Sequence, residues 1–128
     1  MKQRFLHIVI PQGHSGGVKQ ESKFQELLIN LRNTVTGRRV SFEYFGYAQY
    51  TYFYMALEED LLETMEGLIY SLFPNAEIKE TADYTKSFDP QKQFIAGANI
   101  HLHHSDVYPI QTYDLFEEDS ASRIFSVI

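Results

Sequence analysis

The residues best suited to chemistry are His101, His103 and His104, with Asp106 just beyond them. Imidazole and carboxylate both ligate metals, and residues two apart on a strand share a face, so His101 and His103 could offer nitrogens to one ion. A metal site needs at least a third ligand, and the spacing places neither His7 nor a carboxylate to supply it. The three imidazoles therefore read as partly exposed strand histidines, and no metal is expected.

The loop Gly13-His14-Ser15-Gly16-Gly17 falls between a strand and a helix, where backbone amides can cradle a phosphate. It lacks the Gly-Lys-Ser/Thr ending of a nucleotide-binding loop and does not match Gly-x-Gly-x-x-Gly, so it reads as a connector. Glu58, Glu59, Asp60, Glu63 and Glu66 could pair carboxylates at helical spacing for acid-base work. Nothing sets any of them beside an apolar pocket, and a solvated helix face accounts for them. No nucleophile motif surrounds the serines or histidines, and cysteine is absent altogether. The expectation is a chain that is not itself an enzyme, with no catalytic residue and no cofactor.

Aromatics are the remaining candidates. Tyr50, Tyr52 and Tyr54, with Phe42, Tyr44 and Phe45 nearby, invite comparison with sheets that stack RNA bases. The basic, glycine-containing strand motif of such sheets is missing. These side chains read instead as core or protein-interface aromatics, and nucleic acid is not an expected partner.

The elements that must position these groups follow from periodicity. Phe5 to Ile10 is a β-branched and apolar run stopped by Pro11, a first strand. Phe24, Leu27, Leu28, Leu31 and Val35 recur at helical spacing, and Gly37 supplies the stop. Val40 to Tyr47 and Tyr50 to Leu57 form a hairpin across Ala48-Gln49, although that link lacks the strong Asn-Gly signal. The acidic group at Glu58 suits the start of a second helix, whose stripe is Leu61, Met65, Leu68, Ile69 and Leu72 and whose end is Pro74. Ala76 to Tyr84 fits a strand near an edge. Residues 93–104 alternate Phe94, Ala96, Ala98, Ile100 and Leu102 with Ile95, Gly97, Asn99, His101 and His103, which predicts a longer fifth strand.

The resulting order, β-α-β-β-α-β-β, predicts an α+β, ferredoxin-like split β-α-β sandwich with both helices on one face of an antiparallel sheet. The helix-side face should carry Leu6, Ile8, Ile10, Phe53, Met55, Phe94, Ala96, Ala98, Ile100 and Leu102. Phe5, His7, Tyr50, Tyr52, Tyr54, His101 and His103 should face away. A sheet face so rich in Tyr and His calls for a cover. The expected protein-interface residues are Tyr50, Tyr52, Tyr54, His101 and His103.

Composition bounds the rest. The chain has 128 residues, 44% of them hydrophobic, which suits one domain with a real core. The expected domain covers residues 1–118. A helix beginning at Asp119 or Ser120, with Ala121, Ile124, Phe125 and Ile128 as its stripe, would lead from 119–128 into a longer protein. No apolar run approaches the roughly 20 residues that span a bilayer, and no signal peptide leads the chain, so this piece is expected to be soluble. Net charge is −6, unevenly spread: residues 1–40 carry seven Lys/Arg against two Glu, and the remainder four against fifteen acidic residues. That imbalance allows either an electrostatic polarity or a surface on which the two signs intermix.

Several segments together resemble a known family. These are Val40-Ser41-Phe42-Glu43-Tyr44-Phe45, Tyr52-Phe53-Tyr54-Met55, Ile69-Tyr70-Ser71-Leu72-Phe73-Pro74-Asn75-Ala76-Glu77-Ile78, Asp83-Tyr84-Thr85 and Tyr108-Pro109-Ile110-Gln111-Thr112-Tyr113. The pattern, running from about Phe5 to Ile128, is similar to the N-terminal region of conjugation and type IV secretion ATPases, the TraC-like branch of the HerA/FtsK superfamily. The family's nucleotide-binding loop and acidic metal-binding strand have no counterpart here, so the resemblance carries over no ATPase residue. It implies a non-catalytic assembly domain at the cytoplasmic, inner face of a membrane. Its partners would be proteins, either itself or secretion-system components, with membrane contact only through regions outside this chain. The alternative is a stand-alone ferredoxin-like dimeric module binding a small ligand.

Overall fold

The computed structural model describes residues 2–11, 20–105, 107 and 109. These group into two compact units, the first ending at Asp83 and the second beginning at Tyr84.

In the first unit the elements are β1 (Gln3–Val9), α1 (Gln20–Thr34), β2 (Val40–Tyr47), β3 (Tyr50–Glu58), α2 (Leu62–Leu72) and β4 (Glu77–Thr81). Each boundary has a local cause. At the end of α1 the Thr34 hydroxyl donates to the Asn30 carbonyl at 2.8 Å, Val35 N–H donates to Leu31, and Gly37 takes φ +77°. That left-handed backbone is one that glycine adopts without a Cβ clash. A 3-10 turn at Glu59–Leu61 leads into α2. Phe73 N–H makes the last helical bond to Ile69 at 2.7 Å, and Pro74, which has no N–H to give, ends the helix. Ala76 N–H closes a turn onto the Phe73 carbonyl at 2.9 Å, and β4 starts one residue later.

The four strands form one antiparallel sheet in the order β2-β3-β1-β4. Each helix therefore lies in a crossover that skips one strand: β1 to β2 passes β3, and β3 to β4 passes β1. Central β1 is buried on both sides at Phe5 and Leu6, as expected of a strand with neighbours on each edge. Paired positions share a face, so the register puts Leu6, Ile8, Phe53, Met55 and Phe42 together, with Ile78 opposite Ile8. Leu6, Ile8, Met55 and Leu57 join Leu27 and Val35 beside α1, and Leu61, Met65 and Ile69 beside α2, in one core. Leu6, Met55, Leu57, Met65 and Ile69 are fully buried, and each such side chain contributes about 1.5–3 kcal/mol. Phe5, His7, Tyr52 and Tyr54 share the other face.

The fifth strand predicted over residues 93–104 does not form. The second unit opens with a 3-10 turn, Tyr84–Ser87, followed by a turn at Asp89-Pro90, where Lys92 N–H and Gln93 N–H both donate to the Asp89 carbonyl at 3.0 Å. Beyond it, residues 94–105 belong to no strand, and Phe94 and Ile100 are 96% and 98% exposed. Alternation shows that one side could be buried; a strand also needs a ladder partner. The centre of the segment, Ala96-Gly97-Ala98-Asn99, has little strand preference of its own. The helix expected from Asp119 and the loop Gly13 to Gly17 lie outside the described residues.

Candidate interaction face

The two-residue turn between β2 and β3 decides which aromatics meet. Ala48 and Gln49 have φ of 50° and 69°, the doubly left-handed backbone of a type I′ hairpin, which matches the twist of the strands it joins. It sets Tyr47 opposite Tyr50, Phe45 opposite Tyr52 and Glu43 opposite Tyr54. From the other side, β1 sets His7 opposite Tyr54.

One ring cluster results. His7 lies 5.2 Å from Tyr54 and 5.6 Å from Tyr52, between ring centroids. Phe45 lies 6.2 Å from Tyr52 and 6.4 Å from Tyr54, and Tyr47 stacks beside Phe45 at 6.1 Å. These separations fall in the range where tilted and offset aromatic pairs attract, worth about 0.5–1.5 kcal/mol each beyond burial. Exposure grades along the face. Phe5 and Ala56, opposite each other, are buried; His7, Phe45, Tyr52 and Tyr54 are half-buried; Tyr47 and Tyr50 at the hairpin tip are exposed. Charged groups border the cluster: Glu43, which accepts from the Ser41 hydroxyl at 2.5 Å, and Lys79, opposite His7 on β4.

The other aromatics of the hairpin point away from this cluster. Phe42 stacks on Phe53 at 6.0 Å and meets Phe24 of α1 edge-on at 5.5 Å, and Tyr44 lies 5.2 Å from Phe53. Of the expected interface residues, Tyr52 and Tyr54 are in the cluster and Tyr50 is at its exposed edge. His101 and His103 belong to the second unit, where they are exposed and on no strand. His103 and His104 make an edge contact at 4.9 Å. Among the described residues no group of three His, Asp or Glu is gathered to hold a metal ion; Asp106 is outside them. His7 and Phe45 are the cluster members that the expected site left out, although His7 was expected on this face; the case of Phe45 is the instructive one. Its signal was available, because a two-residue hairpin loop places it directly opposite Tyr52.

The acidic residues next to the second helix serve as ties. Arg38 donates to Glu58 and to both oxygens of Asp60 at 2.5 Å, which pins the loop after α1 to the end of β3. Arg4 bridges Glu59 and Glu80, the latter at 2.6 Å. The hydrogen bond from Arg4, then its charge, holds Glu59 below the usual carboxylate range, and Lys2 adds to this. Asp60 first, then Glu58, raises Arg38 above the ordinary guanidinium value; Glu59 does the same for Arg4. Glu59, lowered in this way, stays ionised and makes a poor proton donor near neutral pH.

No protein-family model matches the chain, and a search of curated proteins finds no similar sequence. No helix among the described residues is long and apolar enough to cross a membrane. The ring cluster offers apolar area, tyrosine hydroxyls and an imidazole on a rigid sheet, a combination suited to contact with another protein surface.

Proposed function

We propose that this chain is a non-catalytic assembly domain of a conjugation or type IV secretion ATPase, making its protein contacts through the aromatic sheet face. The observation that carries the reading is the half-buried cluster of His7, Phe45, Tyr52 and Tyr54, bounded by Tyr47 and Tyr50 at the hairpin tip. A ferredoxin-like class is supported by the sheet order, in which each helical crossover skips one strand. Aromatic residues are enriched where interfaces bury their centre, and rigid strands hold them without a large entropy loss on contact. The partner is a protein component of the secretion machine at the inner face of the membrane, beginning with the motor that a further part of the same polypeptide supplies.

The test reads the gene past Ile128, expresses the region it encodes there and measures its association with this domain by calorimetry. The expected result is a nucleotide-binding motor whose association is weakened by Tyr52→Ser while the domain still melts cooperatively. A reading frame that ends at Ile128, or binding indifferent to Tyr52→Ser and Phe45→Ser alike, overturns the proposal.

A further inference from the structure

Strand β4 has a ladder partner on one side only: among the described residues it pairs with β1, and its other edge carries no strand. Its residues, Glu77-Ile78-Lys79-Glu80-Thr81, alternate between the two faces of the sheet. Ile78 and Glu80 lie on the helix side, where Ile78 is opposite Ile8 and packs against the core although it is only half-buried. Glu77 and Lys79 lie on the other side. Both are exposed, and neither takes part in an ion pair among the described residues. Short length and charge usually keep an exposed edge from pairing. Here the charges also specify a match, because their order is self-complementary when the strand is turned end for end.

We infer that β4 pairs antiparallel with β4 of a second copy, about a two-fold axis at Ile78, joining two four-stranded sheets into one continuous sheet. Opposite side chains of an antiparallel pair share a face, so a two-fold axis normal to the sheet must pass through a residue, and the registers can be compared one by one. An axis at Glu77, Lys79 or Glu80 sets that charge directly against its own copy, which is destabilising. An axis at Thr81 leaves every other β4 residue opposite a position beyond the end of the partner strand. With the axis at Ile78, Glu77 meets the partner's Lys79 and Lys79 meets the partner's Glu77, so the charges alternate in sign around one square. Glu80, which Arg4 already holds, meets the partner's Ala76 and no charge. On the helix side Ile78 meets its own copy, which covers the half of it that the core leaves open and continues an existing core from one copy into the next. Repulsion in the other registers supplies the specificity. The ladder is short and buries less than the roughly 1,200 Å² of a standard interface, so the dimer is weak and concentration-dependent. A pairing of this symmetry closes on itself and does not grow into a fibre.

Charge reversal tests this directly on the whole polypeptide. Sedimentation equilibrium from about 1 μM to about 1 mM should show a monomer–dimer equilibrium. Glu77→Lys makes the square wholly positive and Lys79→Glu makes it wholly negative, so each should weaken the dimer at least about tenfold. An equimolar mixture of these two variants should form a heterodimer, because each supplies the charge that the other lacks. The double variant, Glu77→Lys with Lys79→Glu, should dimerise about as well as the parent. Both side chains are exposed in the monomer and outside its described ion pairs, so neither replacement threatens folding. Tyr52→Ser should leave this dimer unchanged, which separates it from contacts through the ring cluster. A monomer across the whole range, a dimer indifferent to Lys79→Glu, a mixture of the single variants that stays monomeric, or open-ended oligomers would each overturn the inference.

Discussion

Replacing Ala48-Gln49 by Asn-Gly should stabilise the first unit, and the size of the gain follows from two backbone angles. Ala48 and Gln49 sit at φ 50° and 69°, where the Cβ of an L-residue crowds the following carbonyl at a cost of about 1–2 kcal/mol per residue. Asn relieves part of that cost at the first position, because its short polar side chain bonds locally in this region. Gly removes it at the second but returns about 0.5–1 kcal/mol through the greater freedom of the unfolded chain. The net gain is about 1 kcal/mol for the pair, or about 4–8 °C in melting temperature for a cooperative unit of this size. Ala48→Val, which puts a β-branched residue at positive φ, should move the melt the other way. Thermal unfolding followed by circular dichroism, with urea titration as a second measure, reads all three chains. If Asn-Gly melts at or below the parent while Ala48→Val is neutral, the turn is not the one described. The register that pairs Phe45 with Tyr52 would then be wrong as well, because a one-residue slip exchanges the two faces of β2.

Two further tests use glycine and pH. A Cβ at Gly67 in α2 would meet nothing within 4 Å, so Gly67→Ala should gain about 0.5–1 kcal/mol in urea unfolding. Gly37 is equally open but sits at φ +77°, so Gly37→Ala should lose about 1 kcal/mol through backbone strain alone, and opposite signs at the two sites are the check. Because Arg4 lowers Glu59 in the folded state, the tie contributes stability above the unfolded carboxylate value and loses it as pH falls through the lower folded value. Melting temperatures of the parent and Glu59→Gln should therefore differ at pH 7 and converge under acid or high salt; a gap that widens under acid would contradict the assigned direction.

Periodicity made most of the first unit legible. The hairpin strands are where their alternation put them, Gly37 follows α1 with the positive φ that a glycine stop implies, and Pro74 ends α2. Less legible was anything decided by a partner distant in sequence. Glu58, Glu59 and Asp60 read as a helix start, and their engagement by Arg38 and Arg4 depends on strand pairings that no local pattern states. Phe42 and Phe45 look alike in sequence, yet the pleat sends one to Phe24 in the core and the other to Tyr52. Residues 93–104 failed for the complementary reason: their pattern was that of a strand, but a pattern cannot provide the neighbour to which a strand must bond.

The uneven charge of the sequence is also reshaped by the fold. Arg4 and Arg38 come from the basic first 40 residues, and Glu58, Glu59, Asp60 and Glu80, which they engage, come from the acidic remainder. The cause is topological. Central β1 pairs with both β3 and β4, so the beginning of the chain is held against its middle, and opposite charges separated in sequence become neighbours. Surface pairs of this kind add little stability individually. They do bring opposite charges from the two ends of the sequence together, and the ring cluster has a mixed border of Glu43 and Lys79. With Glu43 and Lys79 of opposite sign at its border, the proposed interface would take its strength from aromatic burial and its orientation from the fixed geometry of the strands more than from local charge.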